Sequence, residues 1–181
     1  MKRRKLKLEE LNRISVAEFQ EVEKMPLVVV LDNVRSQHNI GSVFRTGDAF
    51  RVEEIILCGI TATPPNAEIH KTALGAEDAV YWRYVADTLT AVEELKAMGY
   101  VVYSVEQAEH SISLESLTLE QNKKYAVILG HEVHGVQQSV VDASDGCIEI
   151  PQYGTKHSLN VSVTAGIVLW DFLMGLKKSH R

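Results

Sequence analysis

The feature that most constrains this chain is a series of short, almost uniformly apolar runs separated by helix-patterned or polar stretches. The runs fall at residues 27–31, 55–58, 101–105, 125–129 and 147–150. Runs this short, apolar at consecutive rather than alternate positions, suit strands covered on both faces. Ile40, Val43, Phe44, Gly47 and Phe50 predict a helix opening near Asn39. Leu89, Val92, Leu95 and Met98 predict another, capped by Asp87 or Thr88 and ended by Gly99. Residues 158–176 read as a long apolar helix capped by Ser158, and residues 6–23 as a helix closed by Pro26. Residues 60–70, with Pro64, Pro65 and Asn66, read as loop. The stretch after them through Trp82 is weakly patterned, and residues 106–122 read as mostly loop. Strands alternating with helices argue for an α/β fold, a mainly parallel sheet with helices on both faces.

A chain of 181 residues is long enough for one domain with a sizeable core. No linker, repeat or low-complexity segment divides it. The expected organisation is a basic N-terminal extension and helix over 1–25, an α/β domain over 26–176 and a basic tail over 177–181. Nineteen Lys and Arg against twenty-four Asp and Glu give a net charge of −5, which excludes general electrostatic attraction of a polyanion. The bases are unevenly placed. Lys2, Arg3, Arg4, Lys5 and Lys7 crowd one end, and Lys177, Lys178 and Arg181 close the other. Such ends read either as solubilising or as contacts to a polyanion. Cys58 and Cys147 sit in apolar runs without a CxxC partner, the pattern of buried thiols. No apolar run spans a bilayer and no signal core follows the basic start, so a cytoplasmic protein is expected.

In a parallel sheet, binding groups gather beyond the carboxyl ends of the strands. Three polar, glycine-containing segments fall there: 32–45, 130–135 and 151–160. The first offers Asn33, Arg35, Asn39 and Arg45, with Asn39 a possible helix cap and Arg45 near the same face nearly two turns on. The second, Gly130-His131-Glu132-Val133-His134-Gly135, has glycines that permit a tight turn and exposed N–H groups. His131 and His134 lack a third ligand at recognisable spacing, so no metal is expected. In the third, Ser158 precedes a helix whose N-terminus suits a carboxylate or phosphate, with Asn160 in its first turn. A conventional dinucleotide fingerprint, a phosphate loop and a nucleophile elbow are all missing from the sequence.

Taken in order, Asn39-Ile40-Gly41-Ser42-Val43-Phe44-Arg45, then 130–135, then Ile150-Pro151, Gly154 and Ser158-Leu159-Asn160-Val161-Ser162-Val163 resemble the SpoU/TrmH family of RNA ribose 2′-O-methyltransferases, within the knotted SPOUT superfamily. The resemblance extends over residues 27–174. It implies a C-terminal segment threaded through a deep trefoil knot, a homodimer and S-adenosyl-L-methionine as methyl donor. It implies cofactor contacts from Ser104, Val105 and Glu106, from Leu129, Gly130, His131, Glu132 and Gly135, and from Ile150, Pro151, Gln152, Ser158 and Leu159. It assigns the catalytic set to Arg45, Asn39, Glu132, Ser158 and Asn160, with Asn39 and Arg45 facing the target ribose and phosphate. Ile167, Leu169 (or Trp170) and Leu173 are the expected adhesive face of the dimer. The chain departs from many relatives at Thr164, where alanine is usual, at Gln152, where methionine is usual, and at His157, often acidic or otherwise polar. It is read as lacking the added N-terminal RNA-binding domain of several relatives. The implied substrate is tRNA or rRNA, and no membrane partner is expected. Two other readings stay open: a SPOUT-type base methyltransferase and a non-catalytic RNA-binding module.

Overall fold

The structure, a computed structural model, describes residues 3–177. Lys2, Lys178 and Arg181 of the basic ends lie outside the described residues. The apolar runs form one sheet in which every pairing is parallel. Its strands are β1 (Met25–Asp32), β2 (Val52–Cys58), β3 (Trp82–Val85), β4 (Tyr100–Val105), β5 (Ile112–Ser113), β6 (Lys124–Leu129) and β7 (Gly146–Glu149). Their spatial order is β3-β2-β1-β6-β4-β7-β5. β1 lies at the centre, with Val29 opposite Ile55 of β2 and Val127 of β6.

Alternation of side chains along β1 feeds two cores. Leu27, Val29 and Leu31 pack with Phe44 and Phe172 in one, while Val28 and Val30 pack with Val92, Leu95 and Ile128 in the other. The first face is covered by α1 (Val16–Glu21), α2 (Gln37–Phe50), α3 (Ala67–Ala73), α4 (Ala76–Ala79) and α7 (Val161–Lys177). The second is covered by α5 (Thr88–Ala97) and α6 (Gln138–Ala143). Sequential apolar residues in β1 are thus all buried, each against its own layer. No helix among the described residues is long and apolar enough to cross a membrane.

Several boundaries differ from those expected. The helix expected over 6–23 is a 3-10 turn at Leu8–Leu11 followed by the separate α1. Asn12, in the left-handed region at φ 47°, breaks the path, and the Ser15–Glu18 capping box starts a new helix. α2 opens at Gln37 and is capped by Ser36, not by Asn39. The expected loop over 60–70 gives way to α3 at Ala67, because Asn66 accepts hydrogen bonds from the Glu68 and Ile69 amides. The weakly patterned stretch after it holds α4 and the edge strand β3. α7 opens at Val161 rather than at Ser158.

α2 and α3 approach closely because residue 41 is glycine. A Cβ there would lie 2.2 Å from the Ile69 carbonyl oxygen and 2.2 Å from Thr72 Oγ1. Gly41→Ala must push α3 away from the helix that carries Asn39. Overpacking of this kind costs about 1–3 kcal/mol. A urea titration of the variant should show a lower midpoint with an unchanged slope.

Candidate active site

The N-terminus of α2 determines the local geometry. Ser36 Oγ accepts from the Asn39 amide at 3.3 Å, and the Ser36 carbonyl accepts from the Ile40 amide at 3.0 Å. The amides of Arg35 and Ser36 precede the helix and have no partner within it. A carboxylate ninety-six or more residues away takes both: Glu132 accepts from the Arg35 N–H at 3.0 Å and from the Ser36 N–H at 2.8 Å. The Asn39 side-chain amide donates a third bond to Glu132, at 3.0 Å. Negative charge is favoured at this end of a helix. Burial acts to raise the Glu132 pKa, but the Arg35 and Ser36 amides, its own backbone and the Asn39 amide outweigh it. The carboxyl is held below its ordinary value.

The same contacts set the direction of Asn39. With its NH2 committed to Glu132, its Oδ1 faces outward and accepts from Asn160 Nδ2 at 3.2 Å. Asn160 Oδ1 in turn accepts from the Ser162 amide at 2.9 Å and the Val163 amide at 3.4 Å, which makes Asn160 the cap of α7. The side chain of Ser158 does not perform that task. Each asparagine therefore caps or bridges through one end of its amide and binds its neighbour through the other. The relay Glu132–Asn39–Asn160 joins the ends of β6, β1 and β7.

Beside the relay is a cleft of about 540 Å³. Val105, Glu106, Leu129, Gly130, His131, Glu132, Gly135, Ile150, Gln152, Ser158, Leu159 and Asn160 line it. Gly130 is required by close approach, since a Cβ there would be 2.1 Å from the Gly135 carbonyl carbon. Gly135 adopts φ +66°, and the turn it closes is held by reciprocal His131–Gly135 backbone bonds of 3.0 and 2.8 Å. His131 Nδ1 accepts from the Val133 amide at 3.0 Å, fixing its ring over the turn.

Four of the residues assigned to the site from the sequence do not line the cleft: Asn39, which joins it through Glu132 and Asn160, and Ser104, Pro151 and Arg45. Ser104 is fully buried, and its hydroxyl shares a hydrogen bond of 2.8 Å with that of Ser144. Its side chain thereby ties β4 to the residue after α6. Pro151 lies between lining residues but is not one itself. Arg45 is exposed on α2 and forms no hydrogen bond or ion pair with Asn39, Glu132 or Asn160, so the expected catalytic residues are not all brought into mutual contact. Gln107 also lines the cleft, as do Glu149, Val161 and Thr164, which had not been assigned to it from the sequence. The strand-end rule reaches Gln107 and Glu149, which adjoin the ends of β4 and β7. Gln107 secures the wall, its amide donating to the His157 carbonyl at 2.7 Å.

A model of the SpoU rRNA Methylase family matches residues 26–170, which include all three loops of the site. The chain belongs to the SpoU rRNA methylase family. It is 37% identical over 145 residues to a 23S rRNA (guanosine-2′-O-)-methyltransferase of Nitrosomonas europaea. That match covers 80% of this chain and 55% of the relative, so the chain spans little more than half the length of that relative. Among solved structures it is similar to the TrmH/SpoU tRNA modifying enzyme of A. aeolicus, with a TM-score of 0.78 and 26% identity, over 88% of this chain and 80% of that one. It is also similar to an AdoMet-bound rRNA methyltransferase from Sinorhizobium meliloti, with a TM-score of 0.77 and 26% identity, over 85% and 59% of the two chains.

The depressed pKa of Glu132 has a signed consequence. Its contribution to stability is fully present above the unfolded carboxyl's ordinary value and is lost as pH falls through the lower, folded value. Glu132→Gln replaces two acceptor oxygens by one and turns an NH2 toward donors, at a cost of about 1–3 kcal/mol. Scanning calorimetry should show a gap in melting temperature between the parent and this variant. The gap should stay constant from neutral pH down to the ordinary carboxylate range and close below it.

Proposed function

We propose that this protein is an S-adenosylmethionine-dependent RNA methyltransferase that modifies a ribose 2′-hydroxyl of tRNA or rRNA. The observation that carries the proposal is the Glu132–Asn39–Asn160 relay at the mouth of the cleft, in a chain of the SpoU family. It unites the three motifs that carry the family resemblance. The relatives named for guanosine-2′-O methylation and for bound AdoMet support the same reaction and donor.

The cleft fits that donor. Its volume of about 540 Å³ is in the range of small-molecule sites, and the approach of Gly130 to Gly135 leaves backbone rather than side chain along one wall. Leu129, Ile150 and Leu159 supply apolar surface, and Glu106, Gln107 and Gln152 supply polar groups. These residues, with Val105, Gly130, His131, Gly135 and Ser158, would hold the cofactor. Ser104 supports them from behind, and Pro151 restricts the backbone between Ile150 and Gln152. S-adenosylmethionine supplies, when bound, a methyl group activated by a sulfonium.

Placement and electrostatics carry most of the work left to the protein. Glu132 keeps the β1–α2 turn in place and orients Asn39. Asn39 and Asn160 present polar edges where the cleft opens toward substrate. Arg45, exposed on the same helix, grips phosphate and ribose through its planar fork and favours a developing alkoxide. A guanidinium stays charged, so Arg45 acts as a clamp and the hydroxyl proton passes to phosphate or water.

The exposed stripe Val163, Ile167 and Trp170 on α7 supports a homodimer. Leu169, expected on that face, is fully buried in the core instead. Trp170 packs on Phe50 of α2 with ring centroids 5.7 Å apart, so a partner seated on this stripe would adjoin the helix of Asn39 and Arg45. A deep trefoil knot is the family's version of this topology. Insertion of β7 between β4 and β5, which follow each other directly in the chain, supports it. A cytoplasmic location agrees with an RNA substrate. Exposed basic residues at 3–7 agree with contact to its backbone, although Arg4 is paired with Glu10 at 2.7 Å.

Single-turnover methyl transfer at saturating RNA and donor tests the clamp. Arg45→Lys should retain donor affinity by calorimetry yet lose roughly a hundredfold in rate, the equivalent of a few kcal/mol. Arg45→Ala should lose more. Near-parental rates in both would refute the assignment. A nuclease-resistant, 2′-O-methylated dinucleotide in the product digest distinguishes ribose from base methylation. Light scattering tests the dimer: Trp170→Asp should yield a folded monomer with weakened activity, and a parent chain that is itself monomeric and fully active would overturn the two-subunit site.

A further inference from the structure

β6 leaves the sheet between β1 and β4, and each of those neighbours delivers a carboxylate to the segment that follows it. Glu106, next after β4, accepts from the Val136 amide at 3.1 Å. Asp32, the last residue of β1, accepts from the Gln137 amide at 2.9 Å. Two consecutive N–H groups are thus held from opposite sides. The segment 130–137 has its own internal turn, but these two contacts attach its far end to the sheet.

Asp32 is unusual because it is fully buried. A buried carboxylate is costly unless its acceptor capacity is filled. Here four neutral donors fill it: the Gln137 amide, Gln137 Nε2 at 2.8 Å, Asn33 Nδ2 at 2.8 Å and Thr88 Oγ1 at 2.6 Å. Half of these bonds come from Gln137, an exposed residue whose side chain folds inward to reach the acid. Thr88, by contrast, opens α5, which covers the same face of the sheet as α6, and joins Asp32 to that helix.

We infer that Asp32 is a positioning residue for methyl transfer, acting through Gln137 to set the 130–136 wall of the cleft. The inference rests on the reading that S-adenosylmethionine occupies that cleft. The arrangement is reciprocal. An acid of β1 fixes the segment after β6, and Glu132 within that segment fixes the turn after β1. Movement of Gln137 therefore shifts both the cofactor wall and the support of Asn39. Asparagine cannot replace Asp32, since it offers one acceptor oxygen to four donors and turns its own NH2 toward some of them.

The test uses the full-length protein and three variants: Asp32→Asn, Gln137→Ala and Thr88→Val. Calorimetry measures S-adenosylmethionine affinity. Steady-state assays give KM for donor and RNA separately, and a thermal melt reports folding. Asp32→Asn should weaken donor affinity about tenfold or more and raise donor KM in step, with RNA KM near the parent value. Gln137→Ala alters an exposed residue and keeps its amide bond to Asp32, so it should fold and weaken the donor in the same direction but less. Thr88→Val should lower the melting temperature while leaving donor KM unchanged. Parent-like donor affinity in folded Asp32→Asn, or in Gln137→Ala should the former not fold, would overturn the inference. A loss of donor affinity in Thr88→Val as large as in Asp32→Asn would overturn it as well, by reducing Asp32 to general stability. Failure of the parent protein itself to bind S-adenosylmethionine would overturn the cofactor reading and this inference together, and is seen before any variant is made.

Discussion

A single carboxylate at the start of a helix organises the site. Glu132 satisfies two amides that α2 cannot satisfy for itself, and does so where the helix dipole favours negative charge. Its remaining acceptor capacity turns the Asn39 amide so that the carbonyl end points toward Asn160. Without that acid, the Asn39 amide would have no preferred direction, and the turn after β1 would lose its tie to the segment after β6. The cleft beside them is then a consequence of sheet order: β6 next to β1 and β4 brings three strand ends to one place.

The parts of the fold set by local apolar content could be read from the chain. Strands β1, β2, β4 and β6 each contain an apolar run, buried on both faces in β1, β2 and β6 and alternating between buried and half-buried in β4, and their approximate positions follow from those runs. β3 could not be read this way. Its residues Trp82-Arg83-Tyr84-Val85 are half-buried or exposed at the sheet edge, and Arg83 is placed by ion pairs to Glu54 and Glu94 rather than by apolar patterning. α6 is short, and its N-cap Gln137 makes no side-chain cap bond, so it carries no strong start signal.

The caps show a different limit. Ser36, Asn39, Ser158 and Asn160 are all residue types that cap helices. Local chemistry cannot choose among them, because the choice depends on what else claims the side chain. Asn39 is claimed by Glu132 and Asn160, which leaves Ser36 to cap α2. Asn160 performs both tasks, one with each end of its amide. The site residues themselves were identified as a group by the ordered resemblance of three loops. Their division into a relay, a cleft wall and an exposed arginine required the contacts. Ser104 illustrates the difference: the resemblance places it near the cofactor, and only the contacts show that its hydroxyl is shared with Ser144.

The relay also has a consequence for how the protein is made. Glu132 lies ninety-three residues beyond Asn39, and Asn160 lies one hundred and twenty-one beyond it. Contacts so distant along the chain form late and slow the search for the native state. During synthesis, α2 emerges long before either partner, with its leading amides open to water. Asn39 acquires a fixed orientation only after β6 has entered the sheet, and its bond to Asn160 only after the segment beyond β7 has followed. The centre is therefore completed in steps, the Glu132–Asn39 contact becoming available before the Asn39–Asn160 contact.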